Sequence, residues 1–236
     1  MKKLSINPDI LKIVALIAMT IDHVYKIIFP DSAFFFIATS VIGRIAMPIF
    51  SGLLMYHLAK KQIFQKYFYR LIGFGILSLL LFLPFRYGDH SAALPCNILL
   101  TFAQAILAIW LFTHIHQDKK APLPIRYFCD FLVVLILAPF SMFLEYDISG
   151  FGFLLSFYFY FKKTSWMRLF FLLFFAFALN NFGIAGLCSV LTTIVFLCND
   201  FSKSYPRLIK HWYSFYLYYP LHKVLFFAIA YLMMCK

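Results

Sequence analysis

One stretch limits this chain more than any other: Ile10 to Pro30, ILKIVALIAMTIDHVYKIIFP. It is an apolar run of membrane-spanning length, yet it carries Asp22 and His23 side by side. An ionised side chain at the centre of a bilayer costs roughly 2.5–3.5 kcal/mol on insertion scales. Such a pair needs a protein interior or a wet cavity around it, and it is a common mark of chemistry inside a membrane.

Composition extends the constraint to the whole chain. Of 236 residues, 64% are hydrophobic and 13% charged, with a mean hydropathy of +0.86. A soluble globule of this size could not cover itself with so few polar groups, so the expected class is an all-α, polytopic integral membrane helical bundle. The 32 Phe suit lipid-facing and interfacial positions. A net charge of +12 ordinarily raises nucleic acid as a partner. Here the cations sit in short loops between apolar segments, so the bilayer is the expected partner and nucleic acid is not. The first apolar segment is long and no small-residue cleavage site follows it, as in an uncleaved signal anchor. Cys96, Cys129, Cys188, Cys198 and Cys235 are scattered without a CxxC or a His/Cys cluster. No disulfide framework and no metal site is therefore expected.

About nine spans follow from the apolar runs, with eight to ten allowed by the short sixth and the nearly fused seventh and eighth. They lie near 10–29, 33–59, 68–85, 96–113, 127–144, 150–161, 167–181, 183–198 and 212–235. The second is long enough to break near Gly43, with Pro48 inside it. Residues 1–236 read as a single domain, with no repeat, linker or soluble module. Lys and Arg cluster in alternate connections: Lys2, Lys3 and Lys12; Lys60, Lys61, Lys66 and Arg70; Lys119, Lys120 and Arg126; Lys162, Lys163 and Arg168; Lys203, Arg207 and Lys210. The opposite connections hold Asp31, Asp89, Glu145 and Asp147 against Lys26, Arg86 and Lys236. The positive-inside rule then sets the N-terminus in the cytoplasm.

Polar residues recur at one depth. At about 1.5 Å per helical residue, Asp22 and His23 lie roughly 18–20 Å into the first span, and Arg44 and the pair His222-Lys223 lie near the middle of theirs. Asn97 opens the fourth span, and Asn180 and Asn181 close the seventh. Adjacent helical residues point about 100° apart, so Asp22 and His23 cannot pair with each other and each needs a partner on another helix. Arg44 is the expected charge partner of Asp22. His222 can instead serve the backbone beside the Pro220 kink, and the asparagines can be interhelical glue. His57, His114, His116 and His211 flank loops and read as solvated, and His90 lies in an outer loop. The aromatic run Tyr213, Phe215, Tyr216, Tyr218 and Tyr219 reads as an interfacial belt and packing surface. His23 fits none of the structural roles well, and a histidine there can accept a proton from an attacking nucleophile.

The series LKIVALIAMTIDHVYKIIF, IGRIAMPIFSGLL, CNILLTFAQAILA, NNFGIAGL and SFYLYYPLHKVL resembles the TraX family over nearly the whole chain and in the same order. One departure is Met47, where a Phe is expected before the proline. TraX proteins are associated with N-terminal acetylation of conjugative pilin and belong with the transmembrane acyltransferases. The resemblance implies that His23 is the catalytic histidine, with Asp22 beside it, and that Arg44, Asn97, Asn181 and His222 line the site. It implies acetyl-CoA as the acyl donor, a pilin, another protein or a glycan as the acceptor, and the cytoplasmic (inner) membrane as the location. In that mechanism the donor approaches a basic face carrying Lys60, Lys61, Lys119, Lys120, Lys162 or Lys163, His23 deprotonates an amine or hydroxyl arriving from outside, and Asn97 or another polar side chain stabilises the oxyanion. Intramembrane Asp, His and Arg would equally serve a transporter or proton-coupled channel, and a non-catalytic pilus or secretion assembly protein is the third reading.

The charge pattern carries a direct test. A cysteine at position 147 is expected to react with an impermeant maleimide in intact cells, and one at position 120 only after the membrane is opened. Labelling of both from one side would overturn the orientation.

Overall fold

The computed structural model describes residues 4–29, 31–82, 97–117, 119–203, 205–208 and 213–234. The sequence expectations for Lys2, Lys3, Arg86, Asp89, His90, Cys96, Lys210, His211, Cys235 and Lys236 fall outside them.

Among the described residues there are nine helices and no strand beyond one isolated bridge. They are α1 (Pro8–Ile27), α2 (Phe35–Lys61), α3 (Phe64–Phe82), α4 (Ile98–Gln117), α5 (Leu123–Ser141), α6 (Asp147–Lys162), α7 (Trp166–Ala178), α8 (Ile184–Leu197) and α9 (Ser214–Met234). Each falls on one of the nine apolar runs, in order. By length and composition α2, α4, α5 and α9 are able to cross a membrane, while α7 and α8 are apolar but only 13 and 14 residues long. The protein is an all-α polytopic membrane bundle.

Local chemistry sets the helix ends. Asn7 caps α1, its side-chain oxygen accepting from the Asp9 N–H at 2.8 Å, and Pro8 follows at the first helical position. Ser165 caps α7 in the same way, and Arg168 reaches back to the Phe159 and Lys163 carbonyls at the end of α6. Gln62 stops α2 in the left-handed conformation, so α3 starts two residues later. Asn181 and Phe182 turn α7 into α8 in the same conformation.

The long α2 does break where Gly43 and Pro48 suggested. Ala38–Ile42 is π-helical and Gly43–Ile45 is 3-10, and regular α-helix resumes at Ala46. Such irregular turns inside a helix often sit at functional sites. Here α1 crosses α2 at the break.

The core is centred on α6, which packs against α2, α4, α5 and α7. Phe151, Phe153, Leu154 and Phe157 are fully buried there, facing Ala105, Ile106, Ala108 and Ile109 of α4. The alanines let α4 approach closely, as small residues do between membrane helices. The outward faces are apolar as well. Phe128, Phe131, Leu135, Ile136 and Phe140 of α5 are all exposed, which suits contact with lipid chains. At the basic end the N-terminal residues are tied to the segment after α8. Leu4 and Asn199 form a parallel bridge, the Asn199 side chain holds both backbone groups of Ile6, and Asp9 accepts from the Leu208 N–H.

Gly43 permits the crossing of α1 and α2. A Cβ there would stand 2.7 Å from Asp22 Cβ and would also collide with Asp22 Oδ1. Gly43→Ala is therefore expected to lower stability by about 1–3 kcal/mol, the usual cost of overpacking. Gly73→Ala, where a Cβ meets nothing within 4 Å, should be neutral or stabilising. Apparent melting midpoints of the two variants in one detergent check this, and equal midpoints would refute the close contact.

Candidate functional site

A cavity of about 690 Å³ runs through the bundle beside α1. One end is rimmed by Lys12, Lys61, Lys66, Arg70 and Arg207, with Asp9 and His57 among them. The middle is apolar, walled by Leu16, Met19, Phe50, Leu53 and Leu54. The far end holds Asp22, His23, Gly43, Glu145, Tyr146 and Tyr219. The chemistry therefore changes along its length from cationic to oily to polar.

His23 is 8% exposed and its partner is His222 of α9, itself 5% exposed; their Nδ1 and Nε2 atoms stand 2.6 Å apart in a hydrogen bond. His222 Nδ1 donates to the Tyr218 carbonyl one turn earlier, at 2.8 Å. The Tyr218 ring lies nearly parallel to His222, with centroids 4.9 Å apart and planes at 11°. The Tyr218 hydroxyl hydrogen-bonds Thr20 of α1, and Thr20 donates to the Leu16 carbonyl. A tyrosine and a threonine thus pin α9 to α1 one turn below the histidine pair. The sequence-level requirement that His23 find a partner on another helix is met.

Asp22 departs from its expected pairing. Its Oδ2 accepts from Lys26 Nζ at 2.7 Å, one turn along the same helix, and no Asp22–Arg44 ion pair forms. The reason is geometric: Gly43 brings the backbone of α2 against Asp22, and Arg44, the next residue, points elsewhere and interacts with the Tyr146 side chain. Lys26 was read as a loop cation. Its long stem instead lets the ammonium reach back to the buried carboxylate while staying partly exposed. Asp22 Oδ1 and Arg44 Nε are both buried without a hydrogen-bond partner among the described residues.

The asparagines serve the fold. Asn97 donates to the Gly75 carbonyl at 2.9 Å and caps α4 by accepting from the Leu99 N–H at 3.0 Å. It joins α3 to α4 and is not among the residues lining the cavity. Asn181 stands exposed in the α7–α8 turn, where its φ of 53° suits an asparagine, and it too is absent from the cavity wall. Asn180 bonds Ser189 across that turn.

Other residues arrive unannounced. Glu145, which the loop pattern placed with the outer acidic residues, turns inward. Its Oε2 accepts from the Ile98 N–H at the start of α4 and from the Tyr219 hydroxyl, both at 3.1 Å. A carboxylate at a helix N-terminus is favourable in itself. The turn that aims it is strained, with Tyr146 and Asp147 both left-handed at φ 68° and 47°. Tyr219 also accepts from Lys223 Nζ at 2.7 Å, so Lys223, Tyr219 and Glu145 form a chain beside the histidines. Tyr219 lines the cavity and Tyr218 stacks on His222, so this part of the aromatic run serves as a packing surface beside the candidate site. The available signal was their spacing, one helical turn before His222 and Lys223. His57 likewise lies half-buried in the cavity wall against Tyr67, while His116 pairs with Asp130 at the surface.

The pairing of Asp22 is measurable. A double-mutant cycle of Asp22→Asn with Lys26→Gln should give a coupling of about 1 kcal/mol. The cycle of Asp22→Asn with Arg44→Gln should fall below about 0.5 kcal/mol. Denaturant midpoints in detergent supply the numbers, and the reverse order would restore Arg44 as the partner.

Searches of the curated proteins and of the solved structures return no match. A sequence model of one family, described as TraX protein, matches residues 7–230, from the cap of α1 into the last turns of α9. That span takes in His23, Gly43, Glu145, Tyr219 and His222 together, and with nearly the whole length matched, the chain belongs to the TraX family.

Proposed function

We propose that this protein is an acyltransferase of the cytoplasmic (inner) membrane, moving an acetyl group from cytoplasmic acetyl-CoA to an amine or hydroxyl at the outer side. TraX-family membership supports a conjugation- or pilin-related setting and makes a pilin N-terminus the first acceptor to try. The observation that carries the reading is the cavity, with cations at one mouth and a buried histidine at the other end. In the positive-inside orientation the cationic mouth faces the cytoplasm.

Each part has a task. Lys12, Lys61, Lys66, Arg70 and Arg207 attract the donor's phosphates, replacing most of the lysines that loop position alone suggested. The apolar middle takes the pantetheine arm and excludes water. At the far end the acceptor heteroatom bonds to the acyl carbon while His23 takes its proton. The carbon–sulfur bond then breaks, and the proton passes to the departing sulfur, giving free CoA and the acylated acceptor. Asn97 is taken up by the Gly75 carbonyl and the cap of α4, which leaves Arg44, just behind the cavity-lining Gly43 and with a buried Nε–H lacking a partner, as the alternative donor for developing negative charge.

Purified protein given acetyl-CoA and a peptide acceptor should release CoA and add one acetyl group, read by mass. His23→Gln should still bind CoA and transfer at least about a hundredfold more slowly, the usual loss of general-base assistance. Near-normal transfer by His23→Gln would remove that residue from the mechanism, and no transfer by the wild type would favour transport or assembly. Replacing Lys61, Lys66 and Arg207 with Gln together should raise KM for acetyl-CoA roughly tenfold and leave kcat nearly unchanged, at about half a kcal/mol for each exposed contact.

A further inference from the structure

The histidine pair contains an asymmetry that decides which nitrogen can act. The two ring centroids are 4.9 Å apart with planes inclined by 27°. That separation is close to the 2.6 Å nitrogen–nitrogen distance plus one ring radius on each side, so the rings meet edge to edge. The inter-ring contact is therefore an in-plane hydrogen bond, and it needs a single hydrogen.

A backbone carbonyl has no hydrogen to give, so the His222 Nδ1···Tyr218 bond requires the hydrogen on His222 Nδ1. A neutral imidazole carries one N–H, which leaves His222 Nε2 as a bare acceptor. The hydrogen between the rings then belongs to His23 Nδ1, and His23 Nε2 is left without one. The opposite polarity would need both His222 nitrogens protonated, burying a full positive charge beside Lys223. The ring of His222 is held on every side: by the Tyr218 carbonyl, by stacking on the Tyr218 ring, and by His23. His23 lines the cavity, whereas His222 is not among the lining residues.

We infer that His222 is a positioning residue that holds His23 in its Nδ1–H tautomer, leaving His23 Nε2 as the proton acceptor of the site. The backbone carbonyl of Tyr218 sets the polarity of the pair, a task that an acidic side chain performs in hydrolase triads. During the transfer proposed above, the acceptor's proton moves to His23 Nε2 and on to the sulfur of CoA, while His23 Nδ1 keeps its hydrogen and goes on donating it to His222 Nε2. The catalytic importance of His222 rests on the acyl-transfer reading; the tautomer itself does not.

The test is nitrogen NMR on the full chain in detergent, with its seven histidines labelled with the heavy nitrogen isotope and the His23 signals assigned by their loss in His23→Gln. Wild type is expected to show His23 as the Nδ1–H tautomer. His222→Gln, whose side-chain oxygen can accept from Nδ1–H, should keep that tautomer and hold kcat within about tenfold. His222→Leu, which removes the acceptor, should give mixed tautomers and lower kcat about a hundredfold with KM for acetyl-CoA little changed. An Nε2–H tautomer at His23 in wild type overturns the inference, as does a His222→Leu protein whose His23 tautomer is unchanged; the wild-type and His222→Gln spectra decide the matter if the leucine variant does not fold. Protein with the Nδ1–H tautomer but no transfer activity would refute the acyl-transfer reading and leave the tautomer assignment standing.

Discussion

Hydrocarbon offers no hydrogen bonds, so each polar group carried into it must be met by the protein. The arrangement around α1 follows from that constraint. Thr20 is met by α9 and by its own Leu16 carbonyl, Asp22 by Lys26, and His23 by α9. Each demand fixes a neighbour. The histidine bond sets how closely α9 lies against α1, and the buried Asp22 requires α2 to pass without a side chain at position 43. The irregular turns from Ala38 to Ile45 are the backbone's way of making that passage inside an otherwise continuous helix. Among the described residues of this region two buried atoms are left without a partner, Asp22 Oδ1 and Arg44 Nε; Asp22 lines the cavity and Arg44 does not.

The cavity places unlike chemistries in series. Cations at its mouth belong to helix ends and connections, where water can still solvate them. The apolar middle comes from faces of α1 and α2 that would otherwise pack on one another. The polar floor draws on α1, α4, α9 and the α5–α6 turn, so it exists only when distant parts of the chain have met. Consecutive left-handed residues at Tyr146 and Asp147 show what holding Glu145 in that floor costs the backbone.

Much of this was legible in the residues and some was not. The apolar runs located the nine helices found among the described residues, although only α2, α4, α5 and α9 have the length and composition to cross a membrane by themselves. The break in α2 could be read from Gly43 and Pro48 because both act locally on the backbone. The Asp22–Arg44 pairing failed because opposite charge and similar depth say nothing about the direction a side chain takes, and a lysine one turn away on the same helix was closer. Glu145 was hidden because its position at a helix boundary is that of an ordinary loop acid; only the turn geometry aims it inward. Asn97 and Asn181 were assigned to the site through the family resemblance, whereas the alternative of interhelical glue describes Asn97, which joins α3 to α4, and Asn181 occupies a left-handed turn. The place of Tyr218 and Tyr219 beside the histidines was masked by composition, since an aromatic run near a helix start is ordinarily interfacial.

The histidine pair is separated by 199 positions, with its members on α1 and α9. A chain made from its N-terminus therefore carries His23 into the membrane long before His222 exists. Through the insertion of seven intervening helices α1 holds a buried imidazole whose proper partner is still on the ribosome. The same order applies to Thr20, which waits for Tyr218, and to the N-terminal residues, which wait for Asn199. A polypeptide interrupted before α9 would leave Thr20 and His23 without these partners. The histidine pair therefore forms only once α9 has joined α1.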